Sequence, residues 1–122
     1  MVVVVVWIVD VGLVEAWLSG LDEDSYVQVV AALELLAERG PQLGRPLVDT
    51  VVRSRHKNMK ELRPGSSGRS ELRVLFAFDP QRQAILLVAG DKAGNWSRWY
   101  TKNIPIADDL FDDHLKTLKG EP

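Results

Sequence analysis

The side chains best equipped for chemistry in this 122-residue chain are cations, and they cluster: Arg53, Arg55, His56, Lys57, Lys60, Arg63, Arg69, Arg73, Lys92 and Arg98 all fall in its middle. Residues 53–102 hold 11 Lys and Arg against 4 Asp and Glu, whereas residues 1–52 hold 2 against 8 and residues 103–122 hold 2 against 5. A net charge of -2 therefore conceals a strongly positive central segment. Such segregation within one small domain implies a surface field that attracts a polyanion. The plainer reading is that several of these cations pair with the acidic helices. Arg73 is the most informative, because it lies inside Leu72-Arg73-Val74-Leu75-Phe76-Ala77-Phe78. A guanidinium is always charged, so within an apolar strand it must reach water, a carboxylate or a phosphate. If its role is a structural salt bridge, Glu61 and Glu71 are the partners at hand.

Other chemistries are excluded by residue type. The chain has no cysteine, which removes disulfides, thiolate metal sites and thiol nucleophiles and fits a reducing cytoplasm. His56 and His114 stand far apart with no HExxH or paired-Asp pattern, so no metal and no cofactor is expected. Gly65-Ser66-Ser67-Gly68 lacks the Gly-Lys-Ser/Thr that a phosphate loop requires, and there is no Gly-x-Ser-x-Gly elbow. His56 is the mid-chain group that titrates near neutrality, and His114, at the edge of a helical stripe, reads as structural.

The elements that must position these residues are marked by periodicity and punctuation. Val2 to Val9 is β-branched almost without break, favouring a strand covered on both faces. It ends at Asp10, far short of the roughly 20 apolar residues that span a bilayer, and lacks the basic flank of a signal peptide. Val11 to Leu21 has helical spacing. A second helix, capped by Asp22 or Asp24 and stopped by Gly40-Pro41, carries the stripe Tyr26, Val29, Val30, Leu33, Leu36 and Ala37. These two should form a helical hairpin. A loop from Gly44 to Arg53 leads into three meander strands, Asn58–Arg63, Leu72–Phe78 and Ala84–Ala89. A last helix is expected from about Pro105 to Leu118, with Ile106, Leu110, Phe111, Leu115 and Leu118 inward. The sum is one α+β domain over residues 1–122, an antiparallel sheet with helices on one face and the other open for a ligand. Along the first meander strand, Lys60 and Leu62 share one parity while Met59, Glu61 and Arg63 share the other; parity alone leaves open which faces outward.

Taken together, His56-Lys57-Asn58-Met59-Lys60-Glu61-Leu62-Arg63, Arg73 to Pro80, Gly90-Asp91-Lys92, Trp99-Tyr100 and Ile104-Pro105-x-Ala107-Asp108 resemble the HigB-type, phage-derived branch of the RelE/ParE toxin superfamily. The likeness extends from about Trp7 to Leu118. It implies a RelE-like fold and the toxin of a type II toxin–antitoxin pair, a cytoplasmic protein that inhibits translation by cutting mRNA in the ribosome without metal. Its partners would be a helix-turn-helix antitoxin of the HigA kind, the ribosome and mRNA. By motif, Arg73 would hold the scissile phosphate; Lys60 and Arg63 would stabilise charge, one serving as base if its pKa were depressed. Lys92 matches a further basic position and Tyr100 the C-terminal aromatic that stacks or acts as acid. Arg55, His56, Lys57, Arg69, Trp96, Arg98 and Trp99 are candidates for RNA contact, although Trp96 and Trp99 serve equally well as packing for the last helix. The histidine that some members place near Lys92 or Tyr100 is missing here, which leaves the general acid open. Two further readings use the same fold: a ParE-like inhibitor of DNA gyrase, and a non-catalytic module that only binds antitoxin or nucleic acid.

Overall fold

In the computed structural model, which describes residues 1–2, 6–65 and 68–120, the chain runs through β1 (Ile8–Asp10), a 3-10 turn (Gly12–Val14), α1 (Glu15–Ser19) and α2 (Glu23–Arg39). It continues through β2 (Val48–Thr50), β3 (Met59–Leu62), β4 (Leu72–Phe78), β5 (Gln83–Asp91) and α3 (Trp96–Leu118). The class is α+β, as expected. The sheet order is β1-β5-β4-β3-β2, with β1 parallel to β5 and every other pair antiparallel, so the sheet is mixed.

The helical hairpin forms for the reasons its sequence displays. The Asp22 carboxylate accepts the Ser25 N–H at 3.0 Å, satisfying one orphan donor of α2. Glu23 and Asp24 sit at the positive end of the helix dipole and Arg39 at the negative end. Gly40 ends the helix at φ 56, and a Cβ there would meet the Trp7 indole at 2.3 Å. Val29, Ala32, Leu33 and Leu36 are buried, whereas Tyr26, placed in the expected stripe, is 43% exposed.

Four expectations need correction. Residues 3–5 of the valine run lie outside the described residues; β1 itself is short, and Ile8 is 61% exposed because β1 is an edge strand. The expected loop from Gly44 to Arg53 contains β2, which pairs Val48 with Leu62 and Thr50 with Lys60. The last helix begins at Trp96, with Pro105 inside it. Proline lacks the N–H that would bond one turn back, yet Pro105 is exposed while Ile104, Ala107 and Phe111 are buried, so packing on both sides of it carries the helix through. Ile106, counted in the stripe, is 41% exposed.

The fourth correction bears on function: neither sheet face is left bare. One core holds Leu62, Val74, Phe76 and Leu86 beneath α2. The other holds Met59, Leu75, Ala77, Ile85 and Leu87 beneath Ile104, Ala107 and Phe111 of α3. Each such fully buried large side chain contributes about 1.5–3 kcal/mol of transfer free energy. What remains open is a cleft where the first turns of α3 face β3 and the end of β2.

Candidate functional site

The strand alternation sorts the cations between faces. Lys60 pairs across the sheet with Phe76 and with Thr50, whose hydroxyl it donates to at 3.0 Å. Phe76 belongs to the α2-side core, so Lys60 stands on the far face from α3. Glu61, one residue on, points to the α3 face, and Arg63 and Arg73 share that side through their ion pairs with it. Of the sequence candidates on the meander, the structure thus brings Arg63 and Arg73 together and separates Lys60 from them.

Glu61 is the hub. It is 3% exposed and receives Arg63 Nε at 2.7 Å; Arg63 Nη2 also lies 3.4 Å from Asp49. Arg73 Nε lies 3.7 Å from Glu61 Oε1, an electrostatic contact beyond hydrogen-bond length, and it is a buried polar atom with no hydrogen-bond partner among the described residues. Arg73 Nη1 is turned back onto the Leu72 carbonyl at 2.7 Å. The salt-bridge alternative for Arg73 is therefore met in part: Glu61 faces it, while Glu71 instead pairs with Lys92 at 3.1 Å. Burial, followed by the Glu61 carboxylate, pushes the Tyr100 hydroxyl up to about 12, against a smaller opposing pull from Arg73. Tyr100 consequently keeps its proton across the neutral range. Arg63 holds its proton more tightly than usual, first through the hydrogen bond to Glu61, so the depressed pKa that a base role would require is absent.

Glu61, Arg63 and Tyr100 line a cleft of about 210 Å³ closed by Val51, Ile104 and the exposed Trp96. Trp96 and Tyr100 rings meet edge to face at 6.3 Å, Trp99 and Tyr100 at 5.2 Å. Lys92 Nζ lies 5.8 Å from the ring centres of both Trp96 and Tyr100. Trp99 lies over Gly90, where a Cβ would stand 2.6 Å from its Nε1. Glu61 is the residue that sequence reasoning left as a mere salt-bridge partner; its signal was a carboxylate of the same parity as Arg63 in an apolar strand.

Arg53 also lines this cleft and donates to the Thr101 hydroxyl at 3.1 Å, but the remaining candidates are not drawn into it. Arg55 pairs with Asp108, Asp109 and Asp112 of α3, and Ser54 donates to Asp108. His56 Nε2 lies 2.7 Å from Asp112, its ring edge-on to Phe111. Those two side chains clasp the β2–β3 loop to α3. Lys57 and Arg69 are exposed, Arg69 just beyond residues 66–67 of the glycine-serine turn, which lie outside the described residues. Arg98 is exposed on α3. His114, 2.8 Å from buried Asp79 and stacked on Phe111, occupies the structural place expected of it. Among the described residues no cluster of His, Cys, Asp and Glu could hold a metal, and no helix is long and apolar enough to cross a membrane.

Residues 16–112 match a family described as phage-derived protein Gp49-like. Two Mycobacterium tuberculosis proteins are similar over most of this chain. "Putative toxin HigB2" is 63% identical over 109 residues, covering 89% of this chain and 54% of that protein, so the chain spans about half its length. "Putative toxin HigB3" is 53% identical over 107 residues, covering 88% of this chain and 91% of that protein. No solved structure matches significantly.

Proposed function

Because the chain belongs to the Gp49-like, HigB-type family, we propose that it is the toxin of a toxin–antitoxin pair and that its α3 cleft cleaves mRNA. The observation that carries this reading is the orphaned Nε of Arg73, buried beside Glu61 and Tyr100. A buried donor without an acceptor stores a desolvation penalty of about 1–3 kcal/mol, and a phosphate oxygen would relieve it with a charge-assisted bond.

Each step of metal-free RNA transesterification finds a group. The ribose 2'-oxygen attacks its own adjacent phosphorus, losing its proton to Glu61, the buried carboxylate within the cluster. Arg73, with Arg63 and Lys92 at the rim, stabilises the charge that gathers on the equatorial oxygens. The bond from phosphorus to the 5'-oxygen breaks as Tyr100, neutral at physiological pH, donates its proton there. The products are a cyclic 2',3'-phosphate and a 5'-hydroxyl, so no water, metal or cofactor is consumed. Trp96 offers a face on which a neighbouring base can stack. In this reading the substrate is mRNA on the ribosome, in the cytoplasm, and the controlling partner is a helix-turn-helix antitoxin.

The test is primer extension on mRNA after induction. New 5' ends with the wild-type chain, absent with Arg73→Ala, are expected. Growth arrest without new ends, accompanied by loss of supercoiling by purified gyrase, would move the protein to the ParE-like reading.

A further inference from the structure

The first two turns of α3 break a rule that α2 obeys. α2 opens with Asp22, Glu23 and Asp24, whereas α3 has no acidic residue in its first turn and no side-chain cap at Asn95. It places Arg98 there instead, against the positive end of the helix dipole, with Lys102 one turn further along the same side. Cations four residues apart repel as well. Among the described residues neither has a carboxylate ion-pair partner, unlike Arg55, Arg63, Arg73 and Lys92. Two unfavourable arrangements thus coincide on one exposed helix face.

That face borders a groove of about 700 Å³ lined by Asn95, Arg98, Trp99, Lys102 and Asn103. Its volume is ample for a nucleotide-sized ligand. It adjoins the reactive cleft through consecutive residues: Trp99 lines the groove, Tyr100 lines the cleft, and their rings touch edge to face at 5.2 Å. Exposed Trp96 lines the cleft, while its chain neighbours Asn95 and Ser97 line the groove.

We propose that this groove is a second nucleotide subsite, receiving the RNA strand that flanks the scissile phosphodiester, with Arg98 and Lys102 as its phosphate contacts. The inference rests on the nuclease reading for its substrate. A phosphodiester lying between the two cations cancels their mutual repulsion and complements the helix terminus, so the features that disfavour the free protein favour the complex. The strand then runs across Trp96, and the enzyme grips more RNA than the few nucleotides its cleft can hold.

The experiment is fluorescence anisotropy with non-cleavable, fully 2'-O-methylated RNA in two lengths, a dinucleotide and an oligonucleotide long enough to reach both depressions. The wild type should prefer the longer RNA. Arg98→Ala with Lys102→Ala should weaken that binding about tenfold and flatten its log–log salt slope by about 1.4, two single-strand phosphate contacts, while leaving the dinucleotide unaffected. Arg98→Glu should lose the same length preference and raise the urea midpoint, since it corrects the helix terminus. Undiminished length preference in the double variant overturns the subsite. So does loss of antitoxin binding with RNA binding intact, which would give the groove to the antitoxin. A wild-type chain that binds neither RNA also overturns the subsite, whereas an Arg73→Ala variant that cuts mRNA as well as the wild type removes the nuclease reading itself.

Discussion

Arg73 Nε and Glu61 Oε1 stand 3.7 Å apart across β3 and β4, near enough to attract and too far to bond. Both groups also act on the Tyr100 hydroxyl, and under the proposed nuclease reading a substrate oxygen completes the set at that gap. Replacing Glu61 with Gln keeps the shape and removes the proton acceptor, so cleavage of mRNA in a translating extract should fall about 10²–10⁴-fold. Arg73→Lys keeps the charge but loses the fork and should lower cleavage about 10²–10³-fold. Full activity in Glu61→Gln would assign the base elsewhere.

Tyr100 gives an alkaline signature. Its folded value is pushed up to about 12 from 10.0, so the neutral hydroxyl is preferred in the folded state. The stability this contributes is fully present below pH 10 and is lost as pH rises towards 12. Urea midpoints measured at intervals between pH 8 and 12 should therefore fall more steeply for the wild type than for Tyr100→Phe.

The clasp between the β2–β3 loop and α3 gives an acid signature. Asp112 is held below 3.8 chiefly by Arg55, then by His56, so its stabilising share is present above that value and is lost as pH falls through the lower folded one. Asp112→Asn should show a shallower loss of stability in that acid range by circular dichroism.

Asp108 holds the same clasp from inside. It is 4% exposed and accepts from the Ser54 hydroxyl and, at 3.2 Å, from the Arg55 N–H. Asp108→Ala should destabilise the fold by about 1–3 kcal/mol, read from urea unfolding, because two donors lose their acceptor.

Gly90 is a contact prediction. Any Cβ there meets the Trp99 indole at 2.6 Å, so Gly90→Val must push Trp99, and with it Tyr100, away from β5. Near-ultraviolet circular dichroism should change and cleavage should drop, while far-ultraviolet circular dichroism persists. An unaltered aromatic spectrum would refute the packing.

How much was legible follows from how local each determinant is. α2 could be read to its ends because Asp22 and Gly40 act within one turn of chain. The division between Lys60 and the Glu61–Arg63 pair was visible as parity, but which side α3 would cover is decided by tertiary packing. β2 escaped notice because three residues carry too little pattern, and its partner Leu62 is distant in sequence. Pro105 drew the helix start too far along the chain, since the stabilising contacts of Trp99, Tyr100 and Ile104 are with strands rather than with their own neighbours. The clasp of Arg55 and His56 was hidden for the same reason: its carboxylates come from the other end of the chain.

The parallel seam between β1 and β5 ties Ile8 to Gln83, and Tyr100, which lines the cleft, comes later still, on α3. Pairings of such long sequence separation close slowly, and a chain emerging from the ribosome at about 5–20 residues per second must wait for its C-terminal half before the sheet edge can be sealed. A half-made copy therefore carries no assembled cleft.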